Sequence, residues 1–178
     1  MKSLISGLKE DHQYMTRLLH RLQSQIQAVQ GGSNMEPVLQ IVDYLKQYPD
    51  LWHHPIEEQM FELLLQKPLT EHEKALVEKI VDEHALLDAL AELLDIKISQ
   101  YLHGNANKAA LIRTTNKLVF QQLRHIEYEQ NHLFALCEKY LDEADWQSLV
   151  SISDSVRWQN QEMPFYHKLR EVIARIHH

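Results

Sequence analysis

The two halves of the sequence carry the same polar residues at an offset of 72 positions. The matched pairs are His12 and His84, His53 and His125, and Glu57 and Glu129. Apolar positions follow the same offset, for example Leu8 with Ile80 and Leu22 with Leu94. Self-similarity at a fixed offset is typical of a repeated supersecondary unit. The repeat therefore predicts two equivalent halves that pack about a pseudo-twofold axis.

Each half is predicted to be a pair of long helices. Apolar residues recur at helical spacing, and the chain has only four glycines and five prolines to interrupt it. The predicted helices cover residues 4–30, 35–66, 70–102 and 106–140. Pro49 and Pro55 should bend the second, because proline removes a backbone donor. Thr70 and Glu73 have the spacing of a capping box that begins the third.

These four helices with short connections predict an all-α fold, an up-down-up-down four-helix bundle with additional C-terminal helices. We divide the chain into a metal-binding bundle over residues 1–141 and a helical extension over residues 142–178. The extension would either cover the bundle or mediate association, for example as a homodimer. The apolar residues that would serve either purpose are Trp146, Trp158, Phe165 and Leu169.

Composition and charge exclude several kinds of partner and site. The formal charge is −7 and no Lys/Arg-rich run occurs, so we expect neither nucleic acid nor a membrane as partner. No signal-peptide core is evident at the start, and a cytoplasmic location is expected. The single cysteine, Cys137, cannot supply the paired thiolates of structural zinc or of a cluster. Twelve histidines are the unusual feature of the composition.

The histidines and glutamates of the repeat predict a metal site in the bundle core. In each half a histidine precedes a glutamate by four residues, which places both side chains on one helix face. Four imidazoles and two carboxylates buried without a cation would be costly. Two histidines for each metal and two bridging carboxylates suit a dinuclear site, completed by an oxo or hydroxo bridge. Nitrogen and oxygen ligands without thiolate favour iron over manganese or zinc.

Four separated elements of the sequence resemble the hemerythrin HHE cation-binding domain family. They are DH at 11–12, YPDLWHHPIEEQMF at 48–61, EH at 83–84 and HIEYEQNHLF at 125–134. The resemblance covers about residues 1–141. It implies that the iron ligands are His12, His53, Glu57, His84, His125 and Glu129, with Glu57 and Glu129 bridging.

Two departures from the oxygen-carrying hemerythrins bear on function. Those proteins have a fifth histidine where Asp88 stands and an aspartate where Glu129 stands. The site should therefore resemble the more symmetric type with four histidines and two glutamates, which argues against simple reversible oxygen carriage. The interpretation is a non-haem diiron protein that binds or senses oxygen, nitric oxide or peroxide. The alternatives are iron storage or buffering, or a metal-stabilised regulatory interaction module; no catalytic reaction is assigned, although weak redox activity would suit such a site.

Several neighbouring residues compete for the ligand roles. His54 and Glu58 repeat the His-x-x-x-Glu spacing, but the offset maps them onto Ile126 and Gln130. They are therefore expected to flank the site or face outward, and they are the first substitutes if the helix phase differs. Two other histidines are weaker candidates. His20 is expected to be solvated or to support a ligand, and His132 gives a ferritin-like Glu-x-x-His spacing without a counterpart in the other half.

Overall fold

The computed structural model describes the backbone of residues 2–30 and 35–161 and the side chains of residues 4–30 and 35–156. All regular secondary structure in these ranges is helical, which confirms the all-α prediction. The helices are α1 (Lys2–Ala28), α2 (Glu36–Tyr48), α3 (His54–Leu65), α4 (Glu71–Leu102), α5 (Lys108–Tyr128), α6 (Phe134–Tyr140) and α7 (Glu143–Gln161). Two π-helical segments, Pro49–His53 and Glu129–Leu133, join α2 to α3 and α5 to α6. Within the described part of the chain, no helix has the length and apolar character needed to cross a membrane.

The helices form four rods: α1, α2 with α3, α4, and α5 with α6. Two apolar clusters divide the bundle between them. The first cluster draws its residues from positions 14–45 and 90–126, and the second from positions 4–8, 56–64, 77–80 and 133–149. Along the chain, α1 runs from the second cluster to the first, and the rod of α2 and α3 runs back to the second. In the same way, α4 runs from the second cluster to the first, and the rod of α5 and α6 runs back. The alternation confirms the up-down-up-down arrangement.

The two π-helical segments interrupt the second and fourth rods. The backbone N–H of His54 donates to the carbonyl oxygen of Pro49, and that of Phe134 donates to the carbonyl oxygen of Glu129. This five-residue spacing widens the turn and shifts the direction of the side chains that follow. The first segment lies at the predicted bend between Pro49 and Pro55. The second was not predicted, because the helix expected over residues 106–140 contains no proline or glycine near position 129.

The helix α7 lies against α3. Trp146 and Leu149 of α7 are buried in the second apolar cluster, where they complete its packing. The first turns of the predicted extension therefore cover the bundle. The side chain of Trp158, and Phe165 and Leu169, lie outside the described residues. Association through this part of the chain stays a prediction.

The capping box at the start of α4 has both of its hydrogen bonds. The backbone N–H of Glu73 donates to Thr70 Oγ1 at 3.2 Å, and the backbone N–H of Thr70 donates to Glu73 Oε2 at 2.9 Å. Two of the unpaired donors at the helix start are thereby satisfied.

Replacing Thr70 by alanine should lower the free energy of unfolding by about 1 kcal/mol, because the hydroxyl acceptor is lost. Urea unfolding of the metal-free chain, followed by circular dichroism, measures the change. Serine at the same position keeps the acceptor and should retain most of the stability. An alanine variant as stable as the parent would mean that the capping box contributes nothing to folding.

Candidate metal centre

A layer of six buried polar side chains lies between the two apolar clusters. Its members are His12, His53, Glu57, His84, His125 and Glu129. Three of them, His12, Glu57 and Glu129, are 0% exposed, and the others are at most 6% exposed. Every rod contributes at least one of them, at the point where its apolar residues change from one cluster to the other. The structure thus brings together all six residues that the sequence singled out.

The π-helical segments hold a histidine and a glutamate of this layer. His53 is the last residue of the first segment, and Glu129 is the first residue of the second. In each half the histidine contacts the glutamate four residues later. His53 Nε2 is 3.1 Å from Glu57 Oε1, and His125 Nε2 is 3.0 Å from Glu129 Oε1. The wide turns therefore lie next to both His-x-x-x-Glu pairs.

Each carboxylate has one oxygen toward one half of the bundle and one toward the other. Glu57 Oε1 lies near His53, whereas Glu57 Oε2 is 3.8 Å from His84 Nε2. Glu129 Oε2 is 3.2 Å from His12 Nε2, and its Oε1 lies near His125. Each carboxylate therefore lies between the two imidazole pairs.

The polar atoms of the layer lack ordinary partners. Within the described part of the chain, none of the four carboxylate oxygens of Glu57 and Glu129 accepts a hydrogen bond of good geometry, and neither ring nitrogen of His84 takes part in one. His12 Nε2 and His53 Nε2 are 2.8 Å apart. Buried acceptors without donors cost free energy, and a cation among them converts that cost into coordination. The donor set therefore fits a metal.

The donor atoms fall into two groups, each within 4.8 Å. The first group is His12, His53, Glu57 and Glu129, and the second is His84, His125 and Glu129. Glu129 belongs to both groups. Two cations could thus lie side by side and share that carboxylate.

In the metal-free chain, protons on the histidines balance the carboxylates. Burial by itself lowers the pKa of His53, but the charge of Glu57 and the hydrogen bond to Asp11 outweigh it and raise that pKa to about 10. The pKa of His125 is raised as well, since Glu129 outweighs the effect of burial. Burial raises the pKa of Glu129, yet the nearby imidazoles of His125 and His12 lower it well below its ordinary value. Metal binding must therefore displace protons.

A comparison with protein-family models gives a match. Residues 3–137 match the family model of the hemerythrin HHE cation binding domain. The chain belongs to this family. No curated protein and no solved structure matches it. As a hemerythrin-like protein it has a helical bundle with a buried His/Glu cluster that fits cation binding.

Of the two positions expected for His54, flanking the site or facing outward, the structure shows the first. His54 does not face outward: it is 5% exposed, and its ring stacks on that of His84 with centroids 3.9 Å apart. The π-helical turn that ends at His53 explains this, because it rotates the following residues relative to an unbroken α-helix. Glu58, His20 and His132 are exposed.

His54 belongs to a further group of potential donors. His54 Nδ1 is 3.1 Å from Asp50 Oδ1, and together with Asp88 these residues place three donor atoms within 4.8 Å of one another. Both carboxylates of this group are exposed. Asp88 lies beside His54 at the edge of the hemerythrin-like cluster.

Sequence reasoning missed the groups that contact the outer nitrogens of the histidines. Asp11 Oδ2 is 3.4 Å from His53 Nδ1, and Glu83 Oε2 is 3.3 Å from His125 Nδ1. The Gln130 side-chain amide lies 3.2 Å from His12 Nδ1. A signal was present for the two carboxylates, since positions 11 and 83 differ by the same 72 residues.

Proposed function

We propose that this hemerythrin-like chain holds two iron ions in the buried layer and binds or senses oxygen, nitric oxide or peroxide there. The ligands would be His12, His53, Glu57, His84, His125 and Glu129. The observation that carries the proposal is the position of the two carboxylates, each with one oxygen toward each half of the bundle. This arrangement supports a dinuclear centre more than two separate ones.

The chemistry of the donors favours iron. The cluster offers imidazole nitrogens and carboxylate oxygens, and neither donor group contains a thiolate. Burial raises the pKa of the Cys137 thiol well above its ordinary value, so this side chain packs as a neutral residue in the second apolar cluster. Such a donor set with open coordination positions suits non-haem iron, with manganese and zinc as weaker candidates.

The protein around the cluster would restrict access to small molecules. Phe134 stacks on His12 with ring centroids 5.7 Å apart, and Phe61 lies 5.8 Å from the ring of His84. The apolar clusters on both sides exclude bulk water, which strengthens electrostatic interactions inside. When bound, the two irons would supply open positions and electrons for a diatomic ligand or peroxide. The histidines and glutamates would fix the irons and hold the charge of the site.

Metal quantification with spectroscopy tests the proposal. The purified chain is stripped of metal, reconstituted with Fe²⁺ without oxygen, and then exposed separately to oxygen, nitric oxide and peroxide. We expect two irons per chain and a change in the visible spectrum with at least one of the three. Glu127→Gln is a matched control, because Glu127 is exposed and lies outside all the donor groups, and it should leave both results unchanged.

The other outcomes separate the alternatives. Bound iron whose spectrum does not change with oxygen, nitric oxide or peroxide would support the alternative of iron storage or buffering. A chain that takes up no iron under these conditions would contradict the proposal. One iron per chain would reduce it to a mononuclear site.

A further inference from the structure

Two carboxylates that are matched by the repeat contact the outer ring nitrogens of two histidines of the cluster. Asp11 precedes His12 on α1, and its Oδ2 is 3.4 Å from Nδ1 of His53 on the neighbouring rod. Glu83 precedes His84 on α4, and its Oε2 is 3.3 Å from Nδ1 of His125. The 72-residue repeat thus extends beyond the six residues of the cluster to the groups that contact them.

A carboxylate at Nδ1 decides which ring nitrogen carries the proton. A neutral imidazole has one N–H, and an acceptor beside Nδ1 keeps the proton there. Once metal binding has displaced the second proton, the lone pair is on Nε2. This is the atom that faces the cluster in both rings: His53 Nε2 lies toward Glu57, and His125 Nε2 toward Glu129. The carboxylates therefore fix the orientation of both rings and leave Nε2 as the nitrogen that donates to a metal.

The second partners of these carboxylates differ between the halves. Asp11 Oδ1 accepts a hydrogen bond of 2.7 Å from the hydroxyl of Tyr48, which is a neutral donor. Glu83 Oε1 accepts a hydrogen bond of 2.9 Å from the guanidinium of Arg124, which is permanently charged. The ion pair neutralises Glu83 and weakens its pull on the proton at Nδ1 of His125. Asp11 therefore acts more strongly on Nδ1 of His53 than Glu83 acts on Nδ1 of His125.

Exposure to water weakens Asp11 more than Glu83, which opposes the effect of Arg124 on Glu83. The geometry of the cluster decides which of these two effects is larger. The Asp11 side chain is 34% exposed and that of Glu83 is 10% exposed, so water screens Asp11 more. Glu57, however, lies closer to His53, at 3.1 Å from its Nε2, than to His84, at 3.8 Å from that ring's Nε2. The donor group of His12 and His53 has four donors within 4.8 Å, whereas the other has three. Both the closer approach of Glu57 and the uncharged partner of Asp11 favour the His12–His53 position.

We propose that Asp11 and Glu83 are positioning residues for His53 and His125, and that their unequal partners make the two metal positions unequal. The position at His12 and His53 fills first, and the one at His84 and His125 fills second. This inference deepens the proposed function and rests on it. It predicts the order in which the two metal ions bind, although the six donor residues are matched between the two halves of the sequence.

Stepwise metal titration of the full chain tests the order. The metal-free protein is titrated without oxygen with Co²⁺, whose visible bands report its ligands, and the isotherm is compared with one for Fe²⁺. The parent should show two steps. Asp11→Asn keeps the size and an acceptor but removes the charge, and should weaken the first step about tenfold, with the second changed less than about twofold. Glu83→Gln should do the reverse, and Asp11→Glu and Glu83→Asp should recover most of the affinity.

A third variant distinguishes positioning from general support of the fold. Arg124→Gln removes the cation from Glu83 and leaves the carboxylate free to act on His125. We expect the second step to become several-fold tighter and the first to stay unchanged, which narrows the gap between them. A residue with only a structural role would weaken binding when replaced. Because this side chain is 37% exposed, the variant should fold even if one of the carboxylate variants does not.

The results separate this inference from the function on which it rests. A parent that takes up two ions with one indistinguishable affinity would overturn the inference and leave the dinuclear centre standing. So would equal effects of Asp11→Asn and Glu83→Gln on both steps, or a second step that weakens in Arg124→Gln. A parent that binds no ion at all would instead overturn the proposed function, and the inference with it.

Discussion

Replacing Glu129 by alanine should reduce the metal content from two ions per chain to one at most, with the affinity for the remaining ion lowered more than about 100-fold. Replacement of groups that only orient ligands already costs about 10- to 100-fold in metal affinity, so loss of a shared ligand should exceed that range. Glu129 is the residue that both donor groups contain. Its Oε2 is 3.2 Å from His12 Nε2 and its Oε1 is 3.0 Å from His125 Nε2. Both positions therefore lose a donor at once.

Metal analysis after reconstitution, with an isotherm for Fe²⁺, measures the effect. Glu127→Ala is the matched control, because Glu127 lies two residues earlier on the same rod and is exposed. It should bind metal like the parent. Glu129→Asp keeps a carboxylate on a shorter side chain, and its metal affinity should lie between those of Glu129→Ala and the parent. An alanine variant with two ions at the parental affinity would show that the metal lies elsewhere, and circular dichroism of the metal-free variant checks that the bundle is intact.

The bundle and its buried polar layer could be predicted from the sequence because both depend on periodicity. Helical spacing of apolar residues fixes which face of each rod is inward, and the 72-residue offset places matched residues at the same depth in two hairpins. His12 and His84 illustrate this, since each lies where its helix passes from one apolar cluster to the other. The repeat between the two halves, and not a pattern within one helix, indicated that these histidines are buried.

Features that depend on how two rods are rotated against each other could not be predicted in this way. The contact of Asp11 with His53 joins residues on different helices, and neither residue alone indicates it. The burial of His54 follows from the π-helical turn before it, which changes the helix phase assumed from the sequence. The second π-helical segment has no helix-breaking residue at Glu129 to reveal it. Its position beside a buried carboxylate agrees with the frequent occurrence of such turns at functional sites.

Removing the metal should leave a chain whose stability falls as the pH rises. The pKa of His53 is about 10 in the folded metal-free chain and about 6.5 when unfolded, so the folded state binds the proton more tightly. A raised pKa stabilises the fold fully below about pH 6.5, and this contribution is lost as the pH rises toward about 10. We expect a decrease in the free energy of unfolding on the order of a few kcal/mol between about pH 6 and about pH 10. Urea unfolding at several pH values measures it.

The loaded protein should behave differently, because the metal takes the place of the protons. Ligands must be deprotonated to bind, so metal affinity rises with pH where the metal-free chain weakens. The difference in unfolding temperature between loaded and metal-free protein should therefore widen with pH. His53→Gln cannot carry the proton and should flatten the pH dependence of the metal-free chain, whereas the exposed His132→Gln should keep it. If His53→Gln retained the full slope, other groups would be responsible, and the proton on His53 would not be what balances Glu57 in the absence of metal.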